Sequence, residues 1–205
     1  MIGYYNYTVW LTFIGMLSSV VGMGFAVEGK VVPAVICLMF SGFCDMFDGI
    51  VARTKKDRTD EEKRFGIQLD SLSDIVCFGV LPFVIGVCVG ANAWWQIAIM
   101  ALFALAGLIR LAYYNVTEET RQQQTDEKRK HYLGVPITSS ALTVPLLFCF
   151  KGLIGETFPI AYTLLLLING VLFVVPLRVK KPSKTGLAVM LVIGIACTAL
   201  ILIFK

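Results

Sequence analysis

Charged residues are scarce in this chain: they make up 16% of its 205 residues, against about 25% in a typical soluble domain. Apolar residues reach 57%, and the mean hydropathy is +0.78. Nearly all of the charge lies in short segments that separate apolar stretches of about 20 residues. This pattern excludes a soluble globular domain and a disordered chain, and it indicates an integral membrane protein.

Cysteine spacing of the metal-binding or redox type is also missing. The six cysteines all lie inside apolar stretches, and no two of them form a CxxC or zinc-binding pattern. We therefore expect small, buried, apolar residues rather than a disulfide scaffold or a zinc site. There is no separate polar domain, so neither the layout nor the net charge of +4 indicates a nucleic-acid binder.

The apolar stretches predict seven transmembrane helices, because about 20 helical residues at 1.5 Å rise cross a hydrocarbon core of about 30 Å. The predicted fold class is all-α, a polytopic membrane helical bundle that forms one domain over residues 1–205. The residues before the first span lack the basic segment of a cleaved signal peptide, so we expect that span to be retained. The predicted spans are Thr8–Val27, Val31–Arg53, Gly66–Gly90, Ala93–Val116, Gly134–Phe150, Phe158–Leu177 and Gly186–Phe204.

The basic residues predict the orientation of this bundle. Fifteen of the 18 Lys and Arg residues lie on one side of it, mostly in the polar segments 53–65, 117–133 and 178–185. Because positively charged loops stay in the cytoplasm, we expect a cytoplasmic N-terminus and an external C-terminus. The sequence shows no internal repeat of the kind found in inverted-repeat transporters.

Carboxylates break the apolar pattern where the second span ends and the third begins. The second span contains Asp45 and Asp48, and the third contains Asp70 and Asp74. A charged side chain at the centre of a membrane helix costs about 2.5–3.5 kcal/mol, so four of them require compensating partners. Isolated interfacial acids often extend to water or pair with a basic residue, but that does not explain an ordered set on two neighbouring helices.

Helical geometry groups these acids on one face of each helix. At about 100° per residue, Asp45 and Asp48 lie in one stripe with Gly49 and Ala52, and the two acids of the third span share a face. A short loop joins the two spans, so both faces line one cleft that opens toward the cytoplasm. Carboxylate oxygens suit Mg²⁺ or Mn²⁺. Arg53 and the basic loop add the cationic groups that a pyrophosphate requires.

Together these residues form the pattern Asp45-x2-Asp48-Gly49-x2-Ala52-Arg53, followed by Gly66-x3-Asp70-x3-Asp74. Their order and spacing resemble the signature of the CDP-alcohol phosphatidyltransferase family. One departure is the length of the intervening loop, since 12 residues separate Arg53 from Gly66 where the family usually has fewer.

Three further stretches resemble the phosphatidylserine synthase branch of this family. Tyr113 stands where that branch has a second Arg. The resemblance covers residues 8–145, which we expect to form the catalytic core, and it leaves the C-terminal spans within 146–205 unassigned. The stretches are Asp70-Ser-Leu-Ser-Asp-Ile-Val-Cys-Phe-Gly-Val-Leu-Pro82, Arg110-Leu-Ala-Tyr-Tyr-Asn115 and Tyr132-Leu-Gly-Val-Pro-Ile-Thr138.

The resemblance implies transfer of a phosphatidyl group from CDP-diacylglycerol to L-serine, with release of CMP. It implies two Mg²⁺ or Mn²⁺ ions held by Asp45, Asp48, Asp70 and Asp74. Asp74 is also expected to act as the general base on the serine hydroxyl. The resemblance further implies a homodimer in membrane lipid. The residues expected to bind the CDP moiety are Gly49, Ala52, Arg53, Thr59 and Gly66.

Polar residues in the later spans allow two interpretations each. Arg110, assisted by Asn115, is a candidate ligand for the serine carboxylate or a phosphate, because an Arg inside a span requires an anion. Alternatively, Arg110 extends to water or pairs with an acid. The Gly134-Val-Pro136 run either shapes the acceptor pocket or only shapes the backbone before a helix. Asn169 is expected to form an interhelical hydrogen bond.

Two alternative functions remain open at this point. Another alcohol, such as glycerol 3-phosphate or an inositol phosphate, is an alternative acceptor for the same chemistry, although a phosphorylated acceptor requires additional cationic residues. A divalent-cation transporter is a more remote alternative that would use the same acids. Its acids would form a path across the membrane, whereas these cluster near one end of two helices.

Overall fold

The computed structural model describes residues 3–124, 131–180 and 184–203, which fold almost entirely into helices. Short 3₁₀ turns, Tyr7–Val9 and Ile137–Ser139, lead into the first and the sixth helix. Two three-residue strands are present, β1 (His131–Leu133) and β2 (Arg178–Lys180). The helices are α1 (Trp10–Val27), α2 (Val31–Ala52), α3 (Asp60–Asp74), α4 (Leu81–Cys88), α5 (Trp94–Gln124), α6 (Ser140–Phe148), α7 (Lys151–Ile154), α8 (Phe158–Val174) and α9 (Lys184–Ile203).

Five helical stretches in the described residues are long and apolar enough to cross a membrane. Two shorter apolar helical stretches, Ile137–Phe148 and Val189–Ile201, coincide with the fifth and seventh predicted spans. The chain is therefore an integral membrane protein of the predicted helical class. Phe204, the predicted end of the last span, lies outside the described residues. The five long stretches are Tyr7–Val27, Val31–Ala52, Asp60–Cys88, Trp94–Arg121 and Lys151–Val174.

Two helices extend farther than the hydropathy pattern predicts. The predicted third span begins at Gly66, but α3 begins at Asp60 because Thr59 and Glu62 form a capping box, each side chain bonding the other's backbone N–H. The predicted fourth span ends at Val116, but α5 continues to Gln124. The length of an apolar stretch matches the thickness of the bilayer, whereas the length of a helix depends on local capping and side-chain pairing. A helix can therefore extend beyond the apolar stretch into polar residues.

Small residues and interhelical hydrogen bonds pack the bundle. A Cβ on Gly22 of α1 would lie 2.8 Å from Cys37 Cβ of α2, so the bare glycine allows these helices to approach closely. The hydroxyls of Ser19 and Ser41 lie 2.8 Å apart across the same interface. Asn169 Nδ2 of α8 donates to Thr143 Oγ1 of α6 at 2.9 Å, as predicted for an amide in a span.

The third span lies at the centre of the bundle. Between α3 and α4 the helix continues through a π-helical segment, Ile75–Val80, which begins directly after Asp74. Phe78 is fully buried there. Tyr162 of α8 donates its hydroxyl hydrogen bond to Pro82 O at 2.8 Å. These contacts fix the segment that carries the acids of α3 against its neighbours.

The two strands join loops that the charge pattern places on the same side of the bundle. β1 precedes α6, β2 precedes α9, and the two pair antiparallel with Tyr132 opposite Val179. Hydropathy gave no sign of these strands, because each is only three residues long and lies in a polar segment. Their pairing brings the beginnings of α6 and α9 together.

Candidate active site

The four predicted acids meet between α2 and α3. One carboxylate oxygen from each of Asp45, Asp70 and Asp74 lies within 4.8 Å of the others. Asp48 lines the same narrow pocket as these three. The helical spacing therefore predicted the cluster correctly: each pair shares a face, and the two faces oppose each other.

Asp48 is held by a residue of a third helix. Thr12 Oγ1 of α1 donates a hydrogen bond to Asp48 Oδ2 at 3.1 Å, and Thr12 also lines the narrow pocket. The sequence alone does not identify this residue, because a single threonine in an apolar span carries no spacing signal.

The donor set fits a divalent cation. Asp70 Oδ1 is buried and has no hydrogen-bond partner among the described residues. A buried carboxylate oxygen without a partner is costly, and closely spaced carboxylates repel one another unless a cation or a proton compensates them. Three convergent carboxylates that offer only oxygen are typical ligands of Mg²⁺ or Mn²⁺.

A cavity of about 930 Å³ adjoins the acids. Its polar part is lined by Asp45, Asp70 and Asp74 together with Arg53, Arg110 and Asn115. The remainder is apolar and lies against α2, α6 and α9. Its apolar lining includes Met39, Phe40, Phe43, Leu142, Met190 and Ile195.

Arg110 is 8% exposed and anchors the backbone just before α6. Its Nε donates to Val135 O, and its Nη2 donates to Gly134 O at 3.3 Å. Gly134 has φ +76°, which favours glycine, and a Cβ there would lie 2.7 Å from Phe173 O. Val135 and Pro136 line the cavity. The Gly134–Pro136 run thus forms part of its wall, and Arg110 positions this run.

Ser71 and Asn115 form a side-chain pair at the cavity. Asn115 Nδ2 donates to Ser71 Oγ at 2.9 Å, and both residues line the cavity. Ser71 therefore lines the candidate site, although the sequence pattern marks it only as a difference between branches of the family. Its position next to Asp70 in the motif is the signal that could have identified it.

The residues predicted to bind the CDP moiety lie in different surroundings. Arg53 lines the cavity, and Gly49 faces open space, since a Cβ there would meet nothing within 4 Å. Ala52 and Gly66 lie beside Arg58. Thr59 does not line the cavity, and its hydroxyl accepts a hydrogen bond from Glu62 N at the cap of α3. The longer loop therefore uses Thr59 as a helix cap in this structure.

Comparison with known proteins gives a consistent result. A Saccharomyces cerevisiae CDP-diacylglycerol–serine O-phosphatidyltransferase is 35% identical over 153 residues, which cover 72% of this chain and 54% of the yeast protein. A protein of the same name from Mycobacterium tuberculosis is 26% identical over 203 residues, 94% of this chain and 69% of that protein. An archaetidylserine synthase of Methanothermobacter thermautotrophicus is 29% identical over 135 residues, 65% of this chain and 54% of that protein.

The chain thus spans about half the length of the yeast and archaeal relatives. The family model for CDP-alcohol phosphatidyltransferases matches residues 5–203, which include α2 and α3 with their acidic cluster. Since that match extends over nearly the whole chain, the protein belongs to the CDP-alcohol phosphatidyltransferase family.

Proposed function

We propose that this chain transfers the phosphatidyl group of CDP-diacylglycerol to L-serine, forming phosphatidylserine and CMP. The observation that carries the proposal is the convergence of three carboxylates within 4.8 Å, beside a cavity that is polar near them and apolar elsewhere. Such a cavity suits a lipid whose headgroup is anionic. The choice of serine is supported by the names of the yeast and mycobacterial relatives.

Asp45, Asp70 and Asp74, with Asp48 beside them, would hold two Mg²⁺ or Mn²⁺ ions. When bound, such ions neutralise the charge of the pyrophosphate and of the departing CMP. Arg53, which lines the cavity, adds a cationic donor for the phosphate oxygens.

In the proposed reaction, the serine hydroxyl oxygen attacks the phosphorus atom that bears diacylglycerol. The bond from that phosphorus to the oxygen bridging to CMP breaks, and CMP leaves with the electron pair. Asp74 accepts the hydroxyl proton as the general base. Its place in the cavity wall, beside the other acids, supports this role.

The acceptor binds, in this proposal, at the part of the cavity formed by α5 and the Gly134–Pro136 run. Arg110 attracts the serine carboxylate and positions that run, and Asn115 lies nearby with Ser71. The acyl chains occupy the apolar part of the cavity, so that neither substrate crosses the bilayer.

We further propose that residues 1–205 form one membrane domain, with the catalytic core at 8–145, and that the protein is a homodimer. The N-terminus and the active site face the cytoplasm. The pairing of β1 with β2 supports this orientation, because it joins two of the basic segments that the charge pattern assigns to one side.

The decisive experiment is an acceptor screen with the purified chain in detergent. CDP-diacylglycerol and Mn²⁺ are combined with L-serine, glycerol 3-phosphate or an inositol phosphate, and CMP and the lipid product are measured. We expect CMP release with L-serine, phosphatidylserine as the product, and loss of activity when EDTA removes the metal. Release with another alcohol and not with serine would overturn the serine assignment.

A further inference from the structure

Arg58 lies in the loop between α2 and α3, outside the family pattern. Its Nη1 donates to Ala52 O at 3.2 Å, and its Nη2 donates to Glu62 O at 3.3 Å. The guanidinium therefore bridges the last turn of α2 and the first turn of α3. It connects the same two helices whose acids form the cluster.

The guanidinium has an unused donor and lies against a bare glycine. Arg58 Nε is buried and has no hydrogen-bond partner among the described residues. A Cβ on Gly66 would lie 2.8 Å from Arg58 Nη2, so a side chain there would displace the guanidinium. An unpaired buried donor on a charged group is costly, and a ligand oxygen would remove that cost.

The position of Arg58 relative to the acids matches a ligand with two linked phosphates. Ala52 lies one helical turn beyond Asp48, and Gly66 lies one turn before Asp70. At 1.5 Å rise per residue, the four residues in each case correspond to about 6 Å along the helix axis. Arg53 and Ile67, the chain neighbours of Ala52 and Gly66, line the 930 Å³ cavity.

We propose that Arg58 binds the nucleotide part of the CDP-linked substrate, with Nε donating to a phosphate oxygen. A planar guanidinium held by two backbone carbonyls is oriented before the ligand arrives, which favours charge-assisted bonds to phosphate. This inference rests on the proposed function, because it takes CDP-diacylglycerol as the ligand. It assigns part of the nucleotide affinity to the loop that is longer here than is usual in the family.

The test measures CDP binding to the full chain in detergent with Mn²⁺ present, by calorimetry, for wild type, Arg58→Gln and Lys56→Gln. Lys56 is the matched control, since it is an exposed cation of the same loop. We expect Arg58→Gln to weaken CDP binding about tenfold, as loss of a hydrogen bond between charged groups does. Mn²⁺ binding without nucleotide should not change, and Lys56→Gln should bind CDP within about twofold of wild type.

In the assay, Arg58→Gln should raise the KM for CDP-diacylglycerol and leave kcat within about threefold of wild type. Unchanged CDP affinity would overturn the inference. Parallel losses of CDP binding, of Mn²⁺ binding and of thermal stability without ligand would also overturn it, because they indicate a structural role only. If the Gln variant does not fold, Arg58→Lys provides the test, and CDP binding equal to wild type contradicts the proposal. Failure of the proposed function looks different, because wild type would then bind CDP yet release no CMP with serine.

Discussion

Thr12 Oγ1 donates a hydrogen bond to Asp48 Oδ2 at 3.1 Å, and this contact joins α1 to the acidic cluster of α2 and α3. The other three acids place oxygen atoms within 4.8 Å of one another, and Asp48 lines the pocket beside them. The first span contributes no carboxylate. We therefore expect it to orient one.

Replacing Thr12 by Val tests that role. The change keeps the shape of the side chain and removes the donor to Asp48. We therefore expect half-maximal CMP release to require about tenfold more Mn²⁺, which is the lower end of the effect of groups that orient metal ligands. The measurement is the Mn²⁺ concentration that gives half-maximal CMP release. Thr120→Val is the control, because Thr120 is exposed on α5 and its hydroxyl donates to Val116 O of its own helix. Equal Mn²⁺ dependence in Thr12→Val and wild type would show that the contact is incidental.

Asp74→Asn separates the role of Asp74 as general base from its role as a metal ligand. The amide keeps the size of the carboxylate and one oxygen that can still bind a cation, but it cannot accept the serine proton, so we expect the fold and Mn²⁺ binding to persist while turnover falls about 10²–10⁴-fold. Calorimetry with Mn²⁺ and a CMP-release assay measure the two properties. Retention of most of the activity would contradict the base assignment.

Asp45→Ala and Asp70→Ala should behave differently from Asp74→Asn. Each Ala variant loses both oxygens of a carboxylate in the cluster that converges within 4.8 Å, whereas the Asn variant keeps one, so both the rate and the affinity for Mn²⁺ should fall, the latter roughly tenfold or more. Titration of activity with Mn²⁺ measures the shift. If the affinity of both variants for Mn²⁺ were unchanged and excess Mn²⁺ restored none of their activity, these acids would not be metal ligands.

Arg110→Gln tests the contact between α5 and the cavity wall. The variant loses charge-assisted bonds to Gly134 O and Val135 O, so we expect a loss of about 1.5–3 kcal/mol of stability and a higher KM for serine. Thermal unfolding and serine titration measure the two effects. Lys30→Gln is the control, because it removes an exposed cation between α1 and α2 that does not line the cavity. A stability loss with an unchanged serine KM would assign Arg110 a structural role alone.

A double-mutant cycle tests the Ser71–Asn115 pair. The two side chains are 2.9 Å apart between Oγ and Nδ2, so their effects should not add: we expect a coupling of about 0.5–3 kcal/mol in kcat/KM for serine between Ser71→Ala and Asn115→Ala. The four proteins are compared at saturating CDP-diacylglycerol. Additive effects would mean that the two residues act independently of the hydrogen bond.

The sequence predicted the acidic cluster better than it predicted the helix boundaries. The acids follow helical periodicity on adjacent helices, and a short connection forces those helices to be neighbours, so Asp45 and Asp70 had to meet. The start of α3 depended on the capping box at Thr59, which places the Thr59 hydroxyl at the helix cap and not in the cavity wall. A helix cap is a local arrangement of hydrogen bonds, and hydropathy averaged along the chain does not detect it.

Composition and periodicity alone determined that this chain is a membrane bundle and that its four acids within the spans face one cleft. Both follow from distances along the chain and from the cost of placing charge in lipid. Only the tertiary structure decided which distant residues contact each other around that cleft. Hydrogen bonds join Thr12 to Asp48, Arg110 to Gly134 and Asn115 to Ser71, and the Arg58 guanidinium lies next to Gly66. These pairs, apart from the last, join different helices or a helix and a remote turn. Their formation depends on how the helices pack, which spacing along one helix does not specify.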